Sequence, residues 1–574
     1  MDKAFNLRRK IQVNQKNIVG LFLLVYFLNT QFTFAQQTVG LFKKEEGSLD
    51  GTILFSPLGN RSTYLIDKCG RTINTWSSQY IPGFSVYLLE DGTLLRTGHL
   101  ANSYFSVGFI GGVIEKYDWN NNLLWSYTLS DSIHCMHHDI CPLPNGNILA
   151  IVYKKVKKEI AIENGKNPDL IPSEIWSDKI IELQPIGNDS AIVVWEWDAW
   201  DHVIQDLDSS KLNSGMVNEH PELIDINFDP GLQVGADWLH ANAVAYNPLL
   251  DQIIITIHNY SEVWVIDHST TTEESASHSG GNSGKGGDLL YRWGNPEAYK
   301  RGGSNDRKLY FPHNAHWIEQ GFPDENSIII FNNGLLRPQG ELSSIEVLKP
   351  PVDPIGNYTI SQGEAFLPLS SSWTYMDSIP EDFYSAKISG TQRLSNGNTL
   401  ICEGFKGHFF EVDSLNNTVW DYINPAMIDG IANQGDAISL YSNSVFRCTF
   451  YPYDYSGFTG KDLTSEAPIE INPTPSACDS LQSLQTNFSF NGNELTIFPN
   501  PFTNELYIQS RVSLTNTTIE VYNVFGKLVY SINNAQLGMK NFYQLLLPEN
   551  LNPDIYYIKV YNDNFLFSTK VIRK

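Results

Sequence analysis

The stretch WLHANAVAYNPLLDQIIITIHNYSEVWVID, residues 238–267, followed by LLYRWGNP at 289–296, reads as four short strands. Its apolar runs are rich in Ile, Val and Trp and are broken by polar turns, a pattern that fits strands and is too short for helices. The same order recurs in FSVYLLEDGTLLRTGH with GVIEKYDWNNNLLWSYTL (84–129) and in HHDICPLPNGNILAIVY with DKIIELQP and AIVVWEWD (137–198). It recurs again in HNAHWIEQGFPDENSIIIFNNG with SSIEVLKP (313–350), whose fourth strand is not evident, and in ISGTQRLSNGNTLICEGFKGHFFEVDSLNNTVWDYI (388–423). Asp-Gly or Asn-Gly joins the first two strands in three of the units, which is hairpin chemistry. The last hairpin of a unit tends to end in tryptophan: Trp125, Trp195, Trp293 and Trp420.

The remainder supplies a sixth unit. TILFSPLGNRSTYLIDKCGRTINTW (52–76) has the character of the second, third and fourth strands only, and SVFRCTFYPYDY (444–455) is a lone first strand. Pairing the two closes a ring with one blade built from both ends of the repeat region. The expected fold is all-β: a six-bladed β-propeller of four-stranded blades over about residues 36–460. Two β-sandwiches would explain neither the tryptophan spacing nor the split unit.

The net charge of −24 over 574 residues argues against nucleic acid as a partner, since phosphate backbones are held by clustered Lys and Arg. Residues 1–35 read as an export signal, with Lys3, Arg8, Arg9, Lys10 and Lys16 before the apolar core IVGLFLLVYFL and Thr33-Phe34-Ala35 at the cleavage site. That core is too short to leave a stable membrane span after signal removal. Six cysteines are too few for a disulfide scaffold of this size, and no Cys/His spacing suggests zinc. The polar insert HSTTTEESASHSGGNSGKGGD (268–288) has Ser279 where a phosphate loop needs its first glycine and Gly286 where it needs Ser or Thr, so it reads as a flexible or packed loop.

In antiparallel blades the start of the first strand and the turn between the second and third lie at one face of the ring. His137, His138, His240, His313 and His316 open first strands; His99, His258, Arg337 and His408 fall in the turns. All are expected at one mouth of one channel. Several imidazoles with a guanidinium suit anion handling with nucleophilic or acid/base catalysis. Metal binding is the rival, with Asp139 beside His138 completing a site.

DWLHANAV, FPHNAHWI, IIIFNNGLLR and GHFFEVD, in that order over roughly residues 50–455, resemble the bacterial arylsulfate sulfotransferases, exported six-bladed propellers that need no phosphoadenosine phosphosulfate. The resemblance implies that His408 is the nucleophile that becomes sulfated and that His240, His313 and Arg337 stabilise charge. His316 competes with His313 for its position, and Asn242 and Asn314 are secondary candidates. His138 rests on its place in the ring alone, and Trp238, Trp317 and Phe405 are candidates to stack on a phenolic ring. The implied partners are an aryl sulfate donor and a phenolic acceptor, with no cofactor. Two other classes stand beside this one: a non-catalytic propeller that binds anionic or sulfated ligands, and a metal-dependent hydrolase or lyase.

Residues 461–490 read as linker, and 491–574 as alternating strands of a small β-sandwich. Phe498-Pro499-Asn500-Pro501, Gly526-Lys527 and the basic finish at Lys570–Lys574 resemble the C-terminal sorting domain of the Bacteroidetes type IX secretion system. That resemblance implies the type IX machinery as a partner and a secreted or cell-surface protein.

Overall fold

The computed structural model describes residues 37–574 except 106–110, 233–234, 475–477, 479–494, 511–513, 524–526, 538–541, 549–550, 554 and 563–564. The expected export signal lies outside the described residues. The chain divides into two compact units after Thr474.

The first unit carries six antiparallel sheets of four or five strands. Sheet I comprises Pro82–Leu88, Leu94–His99, Gly112–Tyr117 and Leu123–Thr128, and sheet II His134–Pro142, Ile148–Lys157, Glu174–Ile186 and Ser190–Asp198. Sheet III comprises Ala241–Asn247, Gln252–Ile257, Glu262–Asp267 and Tyr291–Trp293, and sheet IV His313–Trp317, Ile328–Asn332, Ser344–Leu348 and Trp373–Tyr375. The fourth strand that the repeat left open is thus Trp373–Tyr375, far beyond the third strand across a long loop. Sheet V comprises Gly390–Arg393, Thr399–Glu403, His408–Val412 and Thr418–Ile423, with Gly40–Lys44 added at its outer edge, Gly40 opposite Ile423. Sheet VI joins Val445–Tyr451 to Thr52–Pro57, Ser62–Asp67 and Thr72–Ser77, Thr52 opposite Tyr451, so the split unit forms as the repeat requires.

The first strands succeed one another in space: sheet I beside II, II beside III, III beside IV, IV beside V, V beside VI, and VI beside I. Between neighbours the apolar faces merge, as where Leu149, Ile180 and Trp197 of sheet II meet Val244, Ile255 and Trp264 of sheet III in one buried cluster. The outer-strand tryptophans each reach the next sheet. Trp76 Nε1 donates to Asp118 O at 2.8 Å, Trp125 to Ser190 O at 2.9 Å and Trp195 to Thr270 Oγ1 at 3.1 Å. Trp293 donates to Pro368 O at 2.7 Å and Trp420 to Lys68 O at 2.7 Å. Between sheets IV and V the contact is a cation over a ring, the Arg393 guanidinium 4.6 Å from Trp373.

After Tyr451 the chain runs back along sheet VI, where Thr72 N donates to Ala467 O at 3.1 Å and Glu466 N to Thr72 O at 2.7 Å. The second unit packs a three-stranded sheet (Leu495–Phe498, Glu505–Ser510, Phe542–Leu546) and a four-stranded sheet (Leu514–Asn523, Leu528–Leu537, Ile555–Asn562, Phe565–Ile572) over one core that includes Phe502, Ile508, Val521 and Ile558. Among the described residues Cys135, Cys141, Cys402 and Cys448 are free. Among the described residues no helix is long and apolar enough to cross a membrane.

Candidate active site

The first strands of the sheets are not regular. The register of sheets II, III and IV slips between Ala150 and Val152, between Ala241 and Ala243, and between His313 and His316. At or beside these bulges His138, His240 and Asn314 adopt φ of 52°, 54° and 54°. Such bulges re-aim side chains, and left-handed backbone at non-glycine residues is retained where surrounding structure holds it.

The result is a continuous line of rings. Phe84 stacks on His138 at 4.9 Å, His138 meets His240 at 4.6 Å, His240 meets His258 at 4.8 Å, and His258 meets His313 at 5.6 Å. Phe84 also packs with Ile388 and Phe446 in a small buried apolar cluster. Of the candidate residues, the structure therefore brings His138, His240 and His313 together, with His258 between the last two.

Each imidazole has a different set of partners, and these assign protons. Asn259 Nδ2 donates to Asp237 O at 2.8 Å and to Trp238 O at 3.2 Å, so its Oδ1, 2.8 Å from His258 Nδ1, must accept. The proton of a neutral His258 thus sits on Nδ1, and Nε2 keeps its lone pair. Burial, with His240 and His313 alongside, pushes the pKa of His258 well below the ordinary imidazole value. His240 behaves in the opposite way. Burial opposes its charge, but Asp237, whose Oδ2 lies 2.5 Å from Nδ1, raises its pKa above the ordinary value.

His313 is tied at both nitrogens: Nδ1 faces Asn333 Oδ1 at 2.8 Å, and Nε2 accepts from Ile388 N at 3.2 Å. Burial holds it down to about 3. His138 Nδ1 lies 2.8 Å from His137 Nδ1, whose Nε2 lies 2.9 Å from Asp178 Oδ1; burial depresses both histidines well below the ordinary range.

Asp139 is bound up in an ion pair with Arg447, which also contacts Tyr87. That network joins sheets I, II and VI and engages the carboxylate that stood as a metal ligand beside His138. His316 Nδ1 donates to Asn314 O at 3.0 Å and is pushed down by burial to about 4. Asn314 Oδ1 accepts from Thr391 N at 2.9 Å, and Asn242 Nδ2 donates to Pro312 O at 2.9 Å. These two asparagines hold neighbouring first strands at the site.

Arg337 lies outside the line of rings. Its Nη2 donates to Ser344 Oγ at 2.9 Å, its Nε is buried without a partner, and it lines a cleft of about 350 Å³ with Arg307, Lys308, Tyr310 and Glu346. Arg307 ties this cleft to the turn after His258 through Ser261 Oγ at 2.5 Å.

His408 is also apart from the line. Its Nδ1 is 3.1 Å from Glu403 Oε2 and its Nε2 is 3.1 Å from Asp421 Oδ1, while its ring stacks on Phe410 at 4.9 Å. Burial opposes its charge, but the hydrogen bonds to Asp421 and Glu403 prevail and raise its pKa to about 9. Trp317 packs against the core between sheets III and IV, Trp238 is buried with Nε1 on Tyr260 Oη at 3.0 Å, and Phe405 lies against Tyr441 at 3.8 Å.

Sequence reasoning passed over Asp237, Asn259, Phe84 and Arg447. The first two had a signal, since Asp237 stands three residues before His240 in DWLH and Asn259 directly follows His258. Phe84 and Arg447 had none, because only the packing of sheets I and VI beside sheet II brings them to the histidines.

Among solved structures the chain is similar to a protein of unknown function from Bacteroides caccae, with 10% identity, 70% of this chain and 98% of that one covered, and a TM-score of 0.36. It is similar to virginiamycin B lyase from Staphylococcus aureus, with 10% identity, 71% and 98% covered and a TM-score of 0.31. A streptogramin B lyase structure gives 11% identity, 72% and 97% covered, and a TM-score of 0.32. No curated protein matches the chain. Residues 496–574 match the secretion system C-terminal sorting domain. Residues 43–436, more than half of the 574, match the arylsulfotransferase (ASST) model, and the chain belongs to that family.

Proposed function

We propose that the protein is an exported aryl-sulfate sulfotransferase working in two half-reactions through a sulfohistidine at the mouth of a closed, six-bladed propeller. Support for the ring comes from the unbroken succession of first strands and from the outer-strand contacts that pass from each sheet to the next. In this reading residues 1–35 are the export signal, 36–460 the propeller, 461–490 the linker and 491–574 the sorting domain that addresses the chain to the type IX machinery and the cell exterior.

The observation that carries the chemistry is the contrast between two touching imidazoles: His258, neutral with Nε2 unprotonated, and His240, held as a cation by Asp237. Nε2 of His258 attacks the sulfur of an aryl sulfate. The N–S bond forms, the S–O bond to the ring breaks, and the His240 imidazolium gives its proton to the leaving phenolate. In the second half the acceptor phenol gives its proton to the now neutral His240 and its oxygen attacks sulfur, so that the N–S bond breaks and both histidines return to their starting states. Splitting the transfer in this way is covalent catalysis with ping-pong kinetics. Arg337, with Arg307 and Lys308 in the adjoining cleft, supplies positive charge for the anionic sulfuryl oxygens, and a guanidinium fork suits two such oxygens. His313, with both nitrogens engaged, fixes the position of the turn that faces His258. Phe84 and Phe446 offer an apolar wall for an aromatic ring.

The family resemblance gives the covalent role to His408. Between Glu403 and Asp421 that ring is protonated at neutral pH and has no lone pair to attack with, whereas His258 has one. Turnover of 4-nitrophenyl sulfate separates the two assignments. His258→Ala should lose on the order of 10³-fold or more in kcat, a covalent residue's effect. His408→Gln should lose no more than about tenfold. The reverse order would move the nucleophile to His408.

A further inference from the structure

The insert that parts the third and fourth strands of sheet III is packed, and it carries a second cluster of chemistry outside the line of histidines. It crosses to sheet II, where Trp197 Nε1 donates to Gly287 O at 2.7 Å and Trp195 Nε1 to Thr270 Oγ1 at 3.1 Å. Here His202, from the turn Ala199–His202 that follows sheet II, meets His278 and Asp288 of the insert. The nearest donor atoms of all three lie within 4.8 Å of one another.

The hydrogen bonding of this cluster sets which ring nitrogens face the carboxylate. His202 is fully buried, stacked on Trp197 at 5.7 Å, and its Nε2 lies 2.8 Å from Ser275 O. A carbonyl only accepts, so Nε2 carries a proton. In a neutral imidazole that leaves Nδ1 with a lone pair, yet Nδ1 lies 2.8 Å from Asp288 Oδ1. The same carboxylate oxygen faces His278 Nδ1 at 2.7 Å. Two imidazole nitrogens thus converge on one carboxylate oxygen, and one of the two rings has its other nitrogen already fixed by the backbone.

Three ligand atoms that converge in this way can also hold a cation. Two imidazole nitrogens and one carboxylate oxygen are a donor set that zinc and its neighbours in the first transition row accept, with water completing the shell. His278, 62% exposed, leaves the side open from which water would come. The outer partners also fit, since a metal-bound histidine commonly donates its second N–H to a backbone carbonyl, which is what His202 does with Ser275. A Cβ on Gly287 would fall 2.6 Å from His202 Nε2 and 1.9 Å from Ser275 O, so glycine is what lets the insert pack this closely on the His202 ring.

We propose that His202, His278 and Asp288 form a structural site for a divalent transition-metal ion of the zinc class, which staples the insert of sheet III onto sheet II. Spacing along the chain gave no hint of it, because His202 is remote in sequence from the other two ligands.

The test uses the purified full chain, stripped with a chelator and titrated with Co²⁺, whose visible d–d absorption reports coordination. One equivalent of Co²⁺ should develop an absorption band that Zn²⁺ displaces, and Zn²⁺ should raise the thermal midpoint of the stripped protein. His278→Ala, a change at an exposed side chain, should still fold by circular dichroism but lose the band and the Zn²⁺-dependent shift. Asp288→Asn should lose both as well. Absence of a one-equivalent band in the unaltered protein, or an equal band in His278→Ala, would overturn the site, the second result placing the metal elsewhere. Sulfuryl transfer should survive metal removal at a temperature where the stripped protein stays folded.

Discussion

Asp237 decides which imidazole carries charge at the proposed site. Its carboxylate raises His240 above the ordinary imidazole value, while burial and that same neighbouring cation depress His258. The two are therefore shifted in opposite directions, as an acid and a nucleophile require. The profile of kcat/KM should be bell-shaped, its acid limb lying below about pH 6.5, the ordinary imidazole value, and its alkaline limb above it. Asp237→Asn removes the charge that raises His240 and should draw the alkaline limb toward lower pH; an unchanged limb would take His240 out of the acid role. The raised pKa values of His408 and His268 bear on stability as well. His268 bridges Asp251 and Glu182 at 2.7 and 2.9 Å, and these bonds overcome burial to raise it to about 9, like His408. A folded-state pKa above the unfolded value of about 6.5 contributes stability that is full below that value and is lost as pH rises through about 9. Urea unfolding should therefore show stability falling between about pH 6.5 and 9, and His268→Gln should flatten the fall.

At the scale of strands and sheets, the outer-strand tryptophans do for neighbouring sheets what ladder hydrogen bonds do within one. Trp420 donates to Lys68 O while the Lys68 ammonium sits 3.8 Å over its ring. Trp420→Phe keeps the apolar ring but orphans a buried carbonyl, and should cost about 1–3 kcal/mol in chemical unfolding; no loss would mean that water replaces the bond. The recurrence of these tryptophans and of turns such as Asn396-Gly397, where glycine takes φ of +91°, is what made five units and the split sixth legible in the sequence. The edge strand Gly40–Lys44 and the last strand of sheet IV were not, since one lies before the repeat and the other follows a long loop. Histidines such as His138, His240 and His313 were legible because they open first strands, but the bulges that turn His138 and His240 into contact are set by pairing with the second strand. The environment of His408 was hidden for a related reason. Glu403 stands opposite it across a strand pair and Asp421 comes from the next strand, so only the sheet register reveals two carboxylates on one ring.

Over the whole molecule, a strongly acidic chain carries local positive charge at the proposed site: His240 beside the proposed nucleophile His258, and Arg307, Lys308 and Arg337 in one cleft. An anionic donor then binds by local charge, and added salt should raise KM for aryl sulfates with little change in kcat. The sorting domain is a compact unit with its own core. A chain ending at Thr474 should retain sulfuryl transfer in vitro while failing to reach the cell exterior in a host with type IX secretion. The central claim, covalent transfer through a channel histidine, is tested most directly by peptide-mapped mass spectrometry of the purified enzyme after brief exposure to 4-nitrophenyl sulfate without acceptor, kept alkaline. The account predicts a sulfuryl adduct on His258 that disappears when a phenol is added; an adduct on His408, or nitrophenol release with no histidine adduct at all, would contradict it.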